Sequence, residues 1–357
     1  MVTTSLVGAA AILLASLAWL RGARWGLRAA FTLISLFLSL RYNFGNDYEA
    51  YERTFQEISK CARASDFENP IALEMGWVYL NWLCRPIGFF GMTAVIAVGQ
   101  CFVYYSLIAR YVPRSLYGFA VFLYVFTPNL MLIQATAMRQ AVAIMLFMVS
   151  LHFTQRREVW WFTLCIALAS TFHFSAIVLW PVYLIGSPRA RPGLAARIGI
   201  IFMFATLAFF GDAISPVVKQ VVGSHFPRYD IYQEVGATRS GLGFVFAGAA
   251  LTVLLLLEER LHAGRALLFR ISALALMITP ITLVLEMLSR FGMYLLPATI
   301  VAYPLVVKTL REPMAKGAFA GVVSAYTIVL FVQFVYSATY EPYFGQYQTI
   351  LAAGPWR

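Results

Sequence analysis

Apolar runs, each long enough to enter or cross a bilayer, recur from Thr3 to Ser337 and constrain this chain more than any motif in it. A hydrocarbon core about 30 Å thick takes about 20 apolar residues in helical form. Inside lipid every main-chain N–H and C=O must be satisfied internally, so such runs become helices. The chain is 61% apolar and only 12% charged. Soluble domains carry about twice that charge. The expectation is an all-α, polytopic helical membrane protein, with a single transmembrane domain filling residues 1–357. The first run, Thr3–Leu20, precedes its positive charges and lacks a small-residue cleavage site. It reads as a retained helix and not as a signal peptide.

The net charge of +11 falls mainly in short loops: Arg21, Arg24 and Arg28, then Arg110 and Arg114, Arg156 and Arg157, and Arg189, Arg191 and Arg197. Cytoplasmic loops carry such an excess. No basic stripe with interleaved aromatics lies outside the apolar runs, which argues against a nucleic-acid partner.

These loops set a predicted topology. Membrane helices are expected near 3–20, 26–40, 88–109, 115–127, 137–154, 198–212, 240–257, 267–286, 291–308 and 317–337. Residues 42–84 read as a periplasmic loop plus an interfacial helix, 213–239 as a second loop, and 338–357 as a tail on the same side. The run 159–185 is flanked by arginines at both ends, so it must cross an even number of times. It is expected to form two short helices meeting at His173, a re-entrant or broken hairpin. That makes about 11–12 membrane segments, with both termini outside. Gly317 and Gly321 form a small-residue pair expected to pack helices. Cys101 and Cys165 read as packing residues, while Cys61 and Cys84 flank one hydrophilic stretch and leave a disulfide open.

Polar residues interrupt this pattern at a few places. Arg139 precedes a dozen residues of almost unbroken apolar sequence, and His173 sits mid-run. Ionisable groups at membrane depth usually face a bundle interior and mark a substrate path. The topology brings Arg41, Asp47, Glu74, Arg139, His173 and Arg290 to the outer ends of helices. Arginine presents a planar fork of donors matched to phosphate oxygens. Arg139, Arg41 and Arg290 are therefore candidate phosphate or pyrophosphate ligands. His173, Asp47 and Glu74 are candidate general bases or acids, in that order. Structural readings stand beside these. Arg41 can snorkel from a helix end, His173 can cap a turn, Arg290 can pair with Glu286, and the acids can be solvated.

A series of motifs carries a resemblance. RYNFGNDYEAY (41–51), EMGWVYLN (74–81), MRQAVA (138–143), FHFSAI (172–177), RFGMYL (290–295) and YEPY (340–343) occur in one order. The series resembles the EpsG family of polysaccharide-biosynthesis membrane proteins, which is similar to the Wzy-type O-antigen and exopolysaccharide polymerases. The resemblance implies a multi-pass glycosyltransferase of the bacterial inner membrane, GT-C-like, needing neither metal nor cofactor. It would join oligosaccharide units carried on undecaprenyl pyrophosphate at the periplasmic face. Its partners would be that lipid-linked oligosaccharide, the lipid bilayer, and the flippase and chain-length regulator of the same pathway. Within these motifs Tyr48, Tyr51, Gln140, Tyr294 and Tyr343 are candidate substrate contacts. Two other functions fit the same residues: a transporter or flippase of a lipid-linked or anionic glycan, and a membrane O-acyltransferase.

Overall fold

The computed structural model describes residues 2–20, 25–69, 72–187, 190–225, 241–284 and 288–353. Among them, six helical stretches are long and apolar enough to cross a membrane: Arg85–Tyr111, Leu194–Pro216, Gly241–Arg260, Gly264–Thr282, Ser289–Thr309 and Pro313–Val335. Shorter apolar helices accompany them, including Val2–Leu17, Gly26–Ser39 and Val159–Ser170. The chain is an all-α polytopic membrane protein. It divides into two compact units. The first comprises Met1–Thr154, Glu158–Trp180 and Gly317–Arg357, and the second Gln155–Arg157 and Pro181–Lys316.

In the first unit, α1 (Val2–Leu20) packs on α2 (Gly26–Ser39) and on α6 (Tyr117–Phe126), and α2 packs on α5 (Gly88–Tyr111). The residues α2 buries, among them Leu27, Ala30, Phe31, Ile34 and Leu38, fall at three- and four-residue spacing and make one stripe. The stretch expected to be loop is largely folded. Tyr48–Lys60 forms α3, which buries Tyr48, Tyr51, Phe55 and Ile58. These side chains share one core with Trp77 and Val78 of α4 (Met75–Leu83) and with Phe89 and Met92 of α5.

The break after α6 is satisfied from within. Pro128 cannot continue a helix, and the carbonyls freed around it need donors in a dry setting. Gln134 Nε2 donates to Asn129 O at 3.3 Å, and Gln100 Nε2 to Leu130 O at 3.5 Å. The Tyr104 hydroxyl holds Gln134 Oε1 at 2.8 Å. The chain then makes α7 (Leu132–Thr136) and α8 (Met138–Arg156).

The run 159–185 folds back on itself. Helix α9 (Val159–Ser170) leads to the tip at His173, a three-ten stretch follows over Phe174–Leu179, and α10 is Val182–Ile185. Trp180 Nε1 donates to Thr163 Oγ1 at 3.0 Å across the two arms. Within the second unit, the Arg157 guanidinium stands 4.7 Å from the Tyr183 ring centre and donates to the Tyr183 carbonyl at 3.4 Å. The two ends of the run therefore lie together, as a hairpin requires. Its second arm is mostly three-ten and not the expected α-helix.

The tail returns to the start of the first unit. After α16 (Pro313–Val335) and α17 (Glu341–Phe344), β2 (Gln348–Thr349) pairs antiparallel with β1 (Arg41–Tyr42), and α18 (Ile350–Ala353) follows. Gly45 N–H donates to Tyr343 O at 3.2 Å, and the Tyr347 hydroxyl to Phe37 O at 2.6 Å. This two-residue ribbon is an exception to the all-helical expectation. Gly317 and Gly321 face open space, where a Cβ would meet no described atom within 4 Å, so the expected helix packing is not made there among the described residues.

The second unit contains α11 (Leu194–His225), α12 (Gly241–Leu257), α13 (Ala263–Val284), α14 (Ser289–Leu295) and α15 (Thr299–Thr309). Helix α11 runs past residue 212, so the first part of the expected 213–239 loop is helical; residues 226–240 lie outside the described residues. A three-ten turn at Leu296–Ala298 divides the helix expected over 291–308. On α13, Arg270 Nε pairs with the buried Glu258 Oε1 at 2.6 Å and also donates to the carbonyls of Ser187 and Ile185. Those extra acceptors satisfy a guanidinium taken out of water.

Candidate functional site

Three elements of the first unit converge on Glu74. This residue precedes α4 in an extended conformation. Its Oε2 meets an Arg139 guanidinium nitrogen at 2.7 Å, and its Oε1 accepts the Phe174 N–H at 3.2 Å. Arg139 is the second residue of α8, because the break at Pro128 and the bend at Ala137 restart the helix there. Phe174 opens the return arm of the hairpin. One carboxylate thus ties the start of α8 to the hairpin tip. The two side chains keep 31% and 21% of their surface, so the pair is shielded but reachable.

The tip is pressed onto α4 at a second point. Gly76 N–H donates to Thr171 O at 2.8 Å. A Cβ on residue 76 would lie 2.4 Å from Thr171 Oγ1 and 2.7 Å from its carbonyl oxygen, so only glycine fits. His173 is extended and half-buried, with Nδ1 2.6 Å from Ser175 Oγ. That contact fixes the ring's orientation.

Arg139 is walled on its other side by α3. The Tyr51 phenol reaches its side chain, and the Tyr51 ring packs on Trp77 at 5.1 Å. Burial pushes the Tyr51 phenol up, so it stays neutral at physiological pH. Arg139 Nε is buried and has no hydrogen-bond partner among the described residues.

Asp47 sits at the start of α3. Its N–H donates to Thr136 Oγ1 at 3.0 Å, and its Oδ1 accepts from Asn46 Nδ2 at 2.9 Å. Gly45 has φ +120°, and a Cβ there would lie 2.6 Å from Thr136, three residues before Arg139. The FGND turn therefore lies directly against the entry to α8.

Arg41 is used differently from the expectation. It is 1% exposed and donates to the Leu38 carbonyl, to Ala135 O at 2.9 Å and to Met138 Sδ at 3.6 Å. Leu38 and Ala135 lie in the last turns of α2 and α7, where carbonyls lack helical partners and the helix dipole is negative. The guanidinium is a strut between helix ends and does not line an open anion site. Burial pulls it below the usual arginine range, to about 10, which leaves it charged at neutral pH.

The remaining candidates divide. Tyr48 (1% exposed), Gln140 (5%) and Tyr294 (0%) are packed side chains and not accessible substrate contacts. Tyr343 is 45% exposed. Arg290 is exposed at the start of α14 in the second unit; Glu286, its expected partner, lies outside the described residues. All four cysteines are free, so no Cys61–Cys84 disulfide is present. Among the described residues no group of three His, Cys, Asp or Glu could hold a metal ion. Sequence reasoning missed α3 as a helix and with it the wall that Tyr51 gives Arg139. The spacing Tyr48, Tyr51, Phe55, Ile58 carried that signal.

Fold and site together define a multi-pass helical membrane protein with a charged centre held between α3, α4, α8 and a helical hairpin. The model of the EpsG family matches residues 24–349, and the chain belongs to that family. No curated protein and no solved structure matches it.

Proposed function

We propose that this protein is a polysaccharide polymerase. It joins oligosaccharide units carried on undecaprenyl pyrophosphate at the periplasmic face of the bacterial inner membrane, where both its termini lie. The observation that carries this reading is Arg139 held by Glu74 beside the His173 hairpin, in a chain of the EpsG family. In glycosyl transfer the bond from the anomeric carbon to the pyrophosphate breaks and a bond to the acceptor hydroxyl forms. Negative charge grows on the leaving pyrophosphate, and a preoriented cation stabilises it best in a water-poor site. Arg139 is that cation and Glu74 sets its orientation. Glu74 already accepts two hydrogen bonds, which makes it a positioning residue and a poor base. His173 takes the acceptor proton, with Asp47 next in line. Arg41 supports the site by holding α2 to α7.

The test is the glycan profile of a strain lacking the gene. A single repeat unit on lipid, with polymer lost, supports polymerisation. Lipid-linked units trapped on the inner leaflet would make the protein a flippase. Polymer of normal length missing acyl groups would make it an O-acyltransferase.

A further inference from the structure

The tail lines a half-open cavity that contains none of the residues of the Arg139 centre. It has a volume of about 270 Å³ and is lined by Asn43, Glu341, Pro342, Gly345, Gln346 and Gln348. These residues carry three side-chain amides and one carboxylate, and no Lys or Arg is among them. The β1–β2 ribbon builds it, because Gln348 is held opposite Tyr42. Asn43 takes a left-handed conformation (φ 43°), which asparagine tolerates, and its Nδ2 donates to Glu49 Oε1 at 3.1 Å. That bond ties one lining residue to α3.

We infer that this cavity is a sugar subsite, taking one uncharged or amino sugar residue of the oligosaccharide; this rests on the polymerase reading above. The volume is near the lower end of small-ligand pockets, about 300 Å³, and suits roughly one sugar ring. Amide and carboxylate groups match the paired donors and acceptors of vicinal hydroxyls. With a carboxylate and no Lys or Arg among its described lining residues, the site favours hydroxyl groups over phosphate. The same short segment serves both places. Asn43 lines the cavity, and two to four residues later Gly45 and Asp47 lie against Thr136 at the entry to α8. The charged end of the substrate at Arg139 and a sugar in this cavity are thus read by two sides of one turn.

The test uses the full chain, purified in nanodiscs. The probes are lipid-free oligosaccharides of one and of several repeat units, cut from the source strain's own polysaccharide. Binding is titrated by saturation-transfer NMR. The wild type should bind. The double variant Gln346→Ala/Gln348→Ala and the shape-preserving Glu341→Gln should each bind at least about tenfold more weakly. Arg139→Ala should bind within about twofold of wild type, since it touches only the charged end. Equal binding of both probes assigns the cavity to any single repeat unit, and binding of the longer probe alone assigns it to the growing chain. A wild type that does not bind, or well-folded cavity variants that bind like it, would overturn the subsite. If the deletion strain still makes polymer while the cavity variants lose binding, the polymerase reading fails and the subsite stands.

Discussion

Glu74 holds Arg139 at 2.7 Å with one carboxylate oxygen and reserves the other for the amide of Phe174. Arg139→Lys keeps the charge but cannot address Glu74 and a phosphate oxygen with one rigid fork. Polymer formation per inserted molecule should fall at least about tenfold, and Arg139→Ala should abolish it. Glu74→Gln should lower activity as well. A double-mutant cycle between the two positions should give a coupling of about 1–3 kcal/mol, and additive effects would separate them.

His173→Ala should slow transfer by about 10²- to 10⁴-fold while lipid-linked substrate still binds. Ser175→Ala, which only frees the ring, should cost less. The readout is polymer in the deletion strain, normalised to membrane-inserted protein. An unchanged rate per molecule, with lower protein levels, would reduce His173 to a turn cap.

Gly76→Ala should destabilise the protein by about 1–3 kcal/mol, because its Cβ meets both the hydroxyl and the carbonyl of Thr171. Adding Thr171→Ala removes the hydroxyl alone, so the double variant should recover little in a thermal melt. Full recovery would mean the carbonyl contact yields easily.

Arg41 predicts the opposite pattern from Arg139. Arg41→Met leaves the carbonyls of Leu38 and Ala135 without their donor, each costing about 1–3 kcal/mol. Melting temperature and yield should drop while the rate per folded molecule stays close to wild type. A loss of rate at normal yield would return Arg41 to the substrate site.

Reporter fusions placed after Arg157 and after Arg191 should both read cytoplasmic, because Arg157 and Tyr183 are in contact at the base of the hairpin. Opposite readings would make 159–185 a single crossing.

The hairpin and Arg139 were legible in the sequence because both break strong patterns: arginines at the two ends of one apolar run, and a charge ahead of a long apolar stretch. Arg139 and Glu74 were each visible, but not their pairing, since it depends on how α4 and α8 pack. Helix α3 was obscured by the charged residues on its outer side, Glu49, Glu52, Arg53 and Glu57, while Tyr48, Tyr51, Phe55 and Ile58 supply the buried face. Arg41 could not be placed, because an arginine at a helix end can turn outward to water or inward onto carbonyls with the same neighbours in sequence. The β1–β2 pair is too short to leave any period.

That ribbon also orders events during synthesis. Arg41 and Tyr42 leave the ribosome some three hundred residues before Gln348 and Thr349, their only strand partners among the described residues. Until Gln348 and Thr349 are translated, the edge of β1 waits for its strand partner, however well the intervening helices have inserted.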